Sequence, residues 1–439
     1  MSTFQPETLR RLALEAEERT AALTRDLIRL PSPSGEEGAL ARRLSEEMTS
    51  RGFDEVFTDP MGNVVGLVRG REPGPVIMFN GHMDQVDPGN PSNWEGYDPY
   101  GGEMDECAAD SRDGQTREPV RCIHGRGASD MKAGLAALVA AGGILAREKG
   151  RGAALPGTYL VSAVVQEEPA ETVGMSYLLD TTLPARALVP AVTVIAEATS
   201  LGLYLGHRGR LELEVKTLGR TSHGSRPDAG INAVYKALPL IAAIRDELAP
   251  SLPSDPHLGK ATIALTRISC KPGALSIIPD ECAFSLDRRA LPGEALEEIV
   301  REIEAIIRRL GSRDPDFRAA VSPVEAAERS YTGMESRCLK YMRPWKVPMD
   351  HPVVRAAAEG LAGLGRPVEY GYWVFATDGS KSAGECRIPT IGYSPMQEQY
   401  AHTPRDLVRV DFLTEAVAGY LAMFDKLALL AAQGGSLRL

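Results

Sequence analysis

Two side chains that could bind a metal ion, His82 and Asp84, follow an apolar run at residues 76–79 and the glycine Gly81. An apolar run that ends at a glycine predicts a buried strand of a parallel sheet. In extended backbone the two side chains share one face, at the strand end where open α/β sheets bind ligands. An imidazole there can bind a metal, while the carboxylate holds its other nitrogen. Alone, the pair is more typical of a histidine that caps a loop, so further ligands are needed.

Further candidates follow other predicted strands or lie in turns after them: Asp130, Glu167, Glu168, Glu197 and His402. Adjacent carboxylates such as Glu167 and Glu168 repel each other, and one is driven towards protonation unless cations neutralise the pair. If Asp130 bridges two metal ions, then His82, Asp130, Glu168, Glu197 and His402 give each ion three protein ligands and leave a shared position for water. For any one carboxylate the alternative is an exposed acidic turn, but the combination is far more specific.

The period of the apolar residues predicts the elements that position these side chains. Predicted strands lie near 55–58, 63–68, 76–81, 158–165, 188–196 and 389–393. Predicted helices lie near 6–30, 34–51 with Ser34 as its N-cap, 133–147 and 407–430. Residues 87–120 are rich in Gly, Pro, Asp and Glu, so we expect a long loop, either a solvated acidic surface or one that faces the substrate.

The pattern changes between residues 204 and 322. Strands near 209–216, 261–269 and 281–288 are interspersed with helices near 231–248 and 293–310. This arrangement predicts a small α+β domain. A chain of 439 residues is too long for one ordinary core. We therefore predict an α/β catalytic domain at 1–203 and 323–439, with a mostly parallel sheet flanked by helices, and an inserted lid and dimerisation domain at 204–322.

The composition excludes several classes of partner. The net charge of −10 argues against binding to nucleic acid or to an anionic membrane surface. No apolar run approaches the roughly 18 residues of a membrane span, and the first residues do not resemble a secretory signal, so we expect a cytoplasmic protein. The six cysteines form no Cys-x-x-Cys pair, which predicts reduced thiols and leaves histidines and carboxylates as metal ligands.

Several motifs together resemble the dizinc aminoacylase and carboxypeptidase family, which includes acetylornithine deacetylase, succinyl-diaminopimelate desuccinylase and glutamate carboxypeptidase. The motifs are GHMD at 81–84, GRGASDMKAG at 125–134, QEE at 166–168, EAT at 197–199, SHGSRPDAGINA at 222–233, DRRALPG at 287–293 and AHTP at 401–404. They cover essentially the whole chain in order. The segments 206–210 and 328–333 look most like the branch of these hydrolases linked to selenium metabolism.

The resemblance implies two Zn²⁺ ions per subunit, for which Co²⁺ or Mn²⁺ could substitute. One ion would be held by His82, Asp130 and Glu197, and the other by Asp130, Glu168 and His402. Glu167 would be the general base for the dizinc-bound hydroxide and the acid that protonates the leaving amine. Asp84 would orient His82.

The resemblance also implies contacts to the substrate. His223 would reach into the active site of a partner subunit and steady the oxyanion, unless it is an ordinary surface histidine. Arg289, or its neighbour Arg288, would receive the substrate carboxylate. Further contacts are implied for Gly379, Ser380 and Asn232, and for Ser276, which stands where many relatives have a longer asparagine.

We therefore predict a metal-dependent hydrolase that cleaves the amide bond of an N-acyl amino acid or short peptide with a free carboxylate. Its partners would be this small-molecule substrate and a second subunit bound through the lid. Two alternatives remain open: hydrolysis of a carbamoyl or other non-peptide C–N bond, and a metal-binding relative without catalysis. Glu167 weighs against the second, because a purely structural site needs no base.

Overall fold

The computed structural model describes residues 3–71, 74–169, 172–434, 437 and 439, whose strands form two large sheets and three small ones. The strands are β1 (Glu55–Thr58), β2 (Val64–Val68), β3 (Val76–His82), β4 (Met104–Asp110), β5 (Arg117–His124), β6 (Thr158–Val164), β7 (Pro190–Ile195), β8 (Leu203–His207), β9 (Gly209–Leu218), β10 (Ser254–Asp255), β11 (Gly259–Lys260), β12 (Thr262–Lys271), β13 (Glu281–Ala290), β14 (Arg318–Pro323), β15 (Glu325–Arg329), β16 (Glu335–Leu339), β17 (Tyr341–Met342), β18 (Trp345–Lys346), β19 (Tyr370–Trp373), β20 (Thr390–Gly392) and β21 (Leu407–Arg409). The helices are α1 (Pro6–Glu15), α2 (Glu17–Ile28), α3 (Gly38–Ser50), α4 (Ala133–Gly150), α5 (Val173–Tyr177), α6 (Leu183–Ala185), α7 (Ala233–Ala243), α8 (Ala249–Ser251), α9 (Leu296–Gly311), α10 (Pro352–Gly363) and α11 (Val410–Ala432).

The largest sheet has nine strands in the order β1-β2-β6-β3-β7-β20-β8-β18, with β19 also paired to β8. Its central strands β6, β3, β7 and β20 are parallel, whereas β1, β2 and β18 pair antiparallel. The predicted α/β fold is confirmed, but the sheet is mixed rather than mostly parallel. A short turn joins the antiparallel neighbours β1 and β2, whereas the central parallel pairs, and the pair of β8 and β19 at the edge, need long crossovers.

Helices cover both faces of this sheet. On one face, α1 to α4, α10 and α11 form the main core with the apolar side chains of the central strands, while α5 and α6 cover the other face. The segment Ala128–Gly150, which includes α4, is long and apolar enough to cross a membrane, but 94% of its apolar 18-residue window is buried inside the fold. Its apolar character follows from its position in the core.

Two predicted helices differ in detail. The helix predicted at 6–30 is broken into α1 and α2 at Ala16. The helix predicted from Ser34 begins at Gly38, and its N-cap position is taken by Glu37. The Ser34 hydroxyl instead donates a hydrogen bond of 2.7 Å to Asp84, so its role is in the site and not in capping a helix.

The loop predicted at 87–120 contains an antiparallel hairpin. Strands β4 and β5 pair, and β21 adds to β5 to make a three-stranded sheet. The apolar pattern did not predict this hairpin because β4 carries polar residues on both sides. The turn is closed by Ser111 and by Gly114, which has a φ of +69°.

The second large sheet contains β12, β13, β9 and β14 in that order, with β17 also paired to β9. Along β9 and β13 buried residues alternate with more exposed ones, as expected for a sheet with one covered face. Helices α7 and α9 cover that face and complete a separate core. This α+β unit lies in the region predicted as the lid, and its sheet extends from Gly209 to Met342. The boundaries at 204 and 322 stay predictions.

The hairpin of β15 and β16 connects this unit to the larger one. At its turn, the Tyr331 hydroxyl donates to the carbonyl of Gly62 at 3.0 Å. The side chain of Gln166, directly before Glu167, donates to the carbonyl of Arg329 at 2.9 Å. The segment 328–333 is therefore a contact between the two units.

Candidate metal centre

The predicted ligands come from neighbouring strands of the large sheet. His82 ends β3, while Glu168 follows β6 and Glu197 follows β7, the two strands that flank β3. Because these three strands are parallel, their carboxyl ends meet at one edge of the sheet. Asp130 comes from the turn before α4, and His402 from the segment between β20 and β21.

Asp130 lies between the two histidines. Its Oδ1 is 3.0 Å from Nε2 of His82, and its Oδ2 is 2.9 Å from Nε2 of His402. Glu197 Oε1 lies 3.3 Å from the same nitrogen of His82, and Glu168 Oε2 lies 3.2 Å from that of His402. The structure thus brings all five residues together as two groups of three that share Asp130.

Burial and mutual repulsion perturb the acids of this cluster. Burial and the charge of Asp130 raise the pKa of Glu197 to about 7 and also raise the pKa of Glu168. Burial raises the pKa of Glu167 well above its usual range, in spite of the nearby His82. Burial also opposes the ionisation of Asp130, but hydrogen bonds to His402 and His82 lower its pKa. Divalent cations would offset the repulsion between these buried acids and so stabilise their charged forms.

The residues present fit a pair of divalent cations. Imidazole and carboxylate groups are suitable ligands for zinc, and carboxylates also suit Mn²⁺. Oε1 of Glu168 is buried without a hydrogen-bond partner among the described residues, as expected for an oxygen available to a cation. Three protein ligands for each ion would leave room for water or substrate, which is the arrangement of catalytic rather than structural sites.

Asp84 holds the backbone of two residues of the cluster in place. It is completely buried, and its carboxylate accepts hydrogen bonds from the backbone N–H groups of Glu167 and Glu168, each at 3.0 Å, and from Ser34. Nδ1 of His82 is 3.0 Å from the backbone oxygen of Asp84 and 3.5 Å from its carboxylate. The predicted contact to His82 is therefore made mainly through the carbonyl, while the carboxylate fixes the backbone of the two glutamates.

A cavity of about 320 Å³ opens above the cluster. Besides the acids and His402, it is lined by side chains that include Arg210, Arg289, Phe375 and Glu398. Asp287 holds both arginines, with Oδ1 2.7 Å from Nε of Arg289 and Oδ2 3.4 Å from Nε of Arg210. Arg210 was not predicted to contact the substrate, although it ends the segment 206–210 that carries part of the family resemblance. It lies directly opposite Arg289 in the pairing of β9 with β13, so only the strand register reveals it.

The structure separates the two arginines between which the sequence left the choice open. Alternate residues of a strand point to opposite faces. Arg289 faces the cavity, whereas the guanidinium of Arg288 is buried and paired with Glu294. Arg289 is therefore the better placed of the two for a substrate carboxylate, and the role of either residue in binding the substrate stays a prediction.

Two residues of the larger unit that were predicted to contact the substrate, Gly379 and Ser380, do not line the cavity. Ser380 is buried, and its hydroxyl accepts a hydrogen bond from the backbone of Arg343. A Cβ at Gly379 would lie 2.5 Å from the indole of Trp345, so glycine is required there for packing. Both residues have packing roles in the single chain, and their contacts to the substrate stay predictions, while Phe375 of the same segment lines the cavity.

The remaining predicted contacts, in the lid, also lie outside the cavity of the single chain. Asn232 caps α7, and its side-chain oxygen accepts from the backbone of Val234 at 2.9 Å. Ser276 is exposed on a loop that contacts Gly224 through its backbone oxygen. His223 is exposed too, and its Nδ1 lies 2.7 Å from the hydroxyl of Ser225. None of these three side chains lines the cavity above the candidate metal ligands within one subunit.

Comparison with known proteins agrees with this geometry. The family model described as the M20 peptidase dimerisation domain matches residues 205–315, within the lid. YgeY of Escherichia coli K12, an uncharacterised protein, is 34% identical over 401 residues, which cover 91% of this chain and 92% of YgeY. A succinyl-diaminopimelate desuccinylase of Rhodospirillum centenum is 32% identical over 305 residues, which cover 66% of this chain and 72% of the enzyme.

The fold is also found in a solved structure. The crystal structure of YxeP from Bacillus subtilis, described as a dinuclear metal-binding peptidase of the M20 family, superposes with a TM-score of 0.66. Its sequence is 16% identical, and the match covers 94% of this chain and 98% of YxeP. Together with the two relatives and the dimerisation domain, this similarity shows that the chain belongs to the M20 metallopeptidase family.

Proposed function

We propose that this M20-family hydrolase cleaves the amide bond of an N-acyl amino acid or short peptide that has a free carboxylate. The observation that carries the proposal is the arrangement around Asp130, where two groups of possible metal ligands share one carboxylate beside the buried Glu167. We assign one cation to His82, Asp130 and Glu197 and the other to Asp130, Glu168 and His402. Zn²⁺ suits these ligands, and Co²⁺ or Mn²⁺ could replace it.

Glu167 is the group that moves the proton. It lines the cavity, its Oε2 is 4.0 Å from Nε2 of His82, and Asp84 fixes its backbone. A carboxylate held there can accept a proton from the attacking water and later donate it to the leaving amine. When bound, the paired cations would lower the pKa of that water and polarise the scissile carbonyl.

Arg289 positions the substrate. Two of its five N–H donors bind Asp287, and the others remain for a ligand in the cavity. A guanidinium can bind a carboxylate through two parallel hydrogen bonds, which fixes both the position and the direction of the substrate. Arg210 adds a second positive charge on the same wall. This charge favours a substrate whose anionic end points towards the lid while its amide lies over the metal ligands.

The active unit in this proposal is a homodimer. The lid matches a dimerisation domain, and His223 is exposed on it, outside the cavity of its own chain. A histidine that projects from the lid can reach the site of a partner subunit and donate a hydrogen bond to the oxyanion that forms during amide hydrolysis. This arrangement would complete each site with a side chain from the other chain.

The direct test is the release of primary amine from a panel of N-acetyl, N-succinyl and N-carbamoyl amino acids and dipeptides. The zinc-loaded enzyme and the enzyme treated with chelator are measured side by side. We expect turnover of an N-acyl amino acid or a dipeptide that chelation abolishes and zinc restores. Turnover confined to N-carbamoyl compounds, or no turnover while two metal ions are bound per subunit, would contradict the proposed reaction.

A further inference from the structure

A second group of possible metal ligands lies on the hairpin of β4 and β5, outside the cavity just described. Asp105 is paired directly with Cys122 across the two strands. Cys107 lies two residues after Asp105, and His124 lies two residues after Cys122. Because residues two apart share a face of a strand, all four side chains project from the same face of the hairpin.

The four side chains contact one another in pairs. Nε2 of His124 is 2.9 Å from Oδ1 of Asp105, and the sulfur atoms of Cys107 and Cys122 are 2.7 Å apart. One donor atom from each of Asp105, Cys107 and His124 lies within 4.8 Å of the others. Tyr97 covers the group, since its ring stacks on His124 at 3.9 Å between centroids and its hydroxyl donates to Asp105 at 2.9 Å.

The side chains of this group differ in solvent exposure in a way that suits a metal site. Cys122 and His124 are buried, so their positions are fixed by packing, whereas the side chain of Asp105 is 47% exposed and leaves a path for an ion. Cys107 and His124 also line a cavity of about 110 Å³. Within the single chain these side chains are bonded to one another in pairs, so an ion would replace the contacts of His124 with Asp105 and of Cys107 with Cys122 by direct ligation.

We propose that Asp105, Cys107, Cys122 and His124 bind a third divalent cation, a structural Zn²⁺ or a similar ion with affinity for sulfur. Two thiolates, an imidazole and a carboxylate are the ligands that zinc accepts in tetrahedral sites, and four protein ligands leave no position for substrate. Sulfur atoms bound to one tetrahedral zinc lie about 3.8 Å apart, so Cys122, which lies outside the converging group of Asp105, Cys107 and His124, would move away from Cys107 when the ion binds. Binding releases the two thiol protons to solvent and changes no oxidation state. The cysteines are 15 residues apart and come together only because β4 and β5 pair, so the sequence pattern did not indicate the site.

The position of this site gives it a structural consequence. Strand β5 pairs with β21, in which Leu407 lies opposite His124. Pro404, Arg405 and Asp406, which follow His402, line the same cavity as Cys107 and His124. A bound ion would therefore stabilise the packing of the hairpin against the segment that carries His402, a proposed ligand of the catalytic centre. The site does not depend on the proposed reaction.

Cobalt provides the test, because cobalt bound to thiolate absorbs strongly in the near ultraviolet and cobalt bound only to oxygen and nitrogen does not. The proposed dinuclear ligands contain no sulfur, so the band reports only the hairpin site. We expect the full-length wild-type protein loaded with Co²⁺ to show the band and the zinc-loaded protein to contain three ions per subunit. Cys107→Ser and Cys122→Ser should each lose the band and one ion.

Cys270→Ser is the matched control, because Cys270 is an exposed cysteine on β12 of the lid, and it should keep both the band and the third ion. The wild-type spectrum tests the site even if a cysteine variant does not fold. Absence of the band in wild-type protein would overturn the proposal, as would a band that survives in Cys107→Ser. A Cys107–Cys122 disulfide that resists thiol reagents until a reductant is added would overturn it as well. Failure of the proposed reaction would leave the band unchanged.

Discussion

Asp84 allows a quantitative test of how the site is supported, through the variant Asp84→Asn. The buried carboxylate accepts hydrogen bonds from the N–H groups of Glu167 and Glu168 and from the hydroxyl of Ser34. Asparagine keeps one acceptor oxygen and turns an amide N–H₂ towards one of these donors. A hydrogen bond to a charged group contributes about 1.5–3 kcal/mol, and a buried unsatisfied donor costs about 1–3 kcal/mol. We therefore expect the free energy of unfolding to fall by about 3 kcal/mol.

The same substitution should weaken metal binding, because the backbone that carries Glu168 loses its anchor. Loss of a residue that supports a metal ligand typically lowers affinity about 10- to 100-fold. Urea unfolding and zinc titration measure the two effects. Ser34→Ala is the matched control, since it removes one of the three donors and leaves both backbone contacts, and it should change affinity far less. An Asp84→Asn protein with wild-type stability and wild-type zinc affinity would refute this reasoning.

Three further predictions concern the substrate, the acid response and the dimer. Arg289→Ala should lower kcat/KM roughly 100-fold for substrates with a free carboxylate, whereas the same substrates with an amidated carboxyl group should react equally with wild type and variant. Burial raises the pKa of the Glu37 carboxyl group from 4.5 to about 7. The contribution of protonated Glu37 to the free energy of unfolding is therefore fully present below pH 4.5 and is lost as the pH rises through 7. Glu37→Gln should thus equal wild type in urea at pH 4.5 and exceed it by up to roughly 3 kcal/mol at pH 7.5; equal stability at both values would contradict this. His223→Ala and Glu167→Gln homodimers should both be inactive, but hybrid dimers should regain about half of wild-type activity, because one of their two sites is complete; inactive hybrids would show that His223 does not act across the interface.

The sequence indicated the candidate metal ligands through a local signal, and the structure brings these residues together. Strand β3 ends at His82, and Glu168 and Glu197 follow the ends of β6 and β7 within a few residues. Strand ends in a parallel sheet meet at one edge. The motif resemblance supplied the remaining ligands, Asp130 and His402, which the structure places beside the others.

Features that depend on strand register or on tertiary packing could not be predicted in this way. The choice between Arg288 and Arg289 is decided by the face of β13 on which each lies, and Arg210 joins the site only through its pairing with Arg289. The packing role of Gly379 is set by Trp345, which lies far from it in the sequence, and no sequence pattern connects the two residues. The hairpin of β4 and β5 was missed because its polar faces lack the apolar alternation that identifies strands.

The central claim is that Glu167 moves the proton and does not hold a metal ion. The measurement that tests it most directly is the metal content and the turnover of Glu167→Gln, determined on the same preparation. Glu398→Gln is the control, because Glu398 lines the same cavity but has no proposed role in the reaction. We expect the Glu167 variant to keep two ions in the catalytic centre and to lose turnover by about 10²- to 10⁴-fold, as for removal of a general base. Turnover near that of wild type, or loss of an ion together with the activity, would contradict the account.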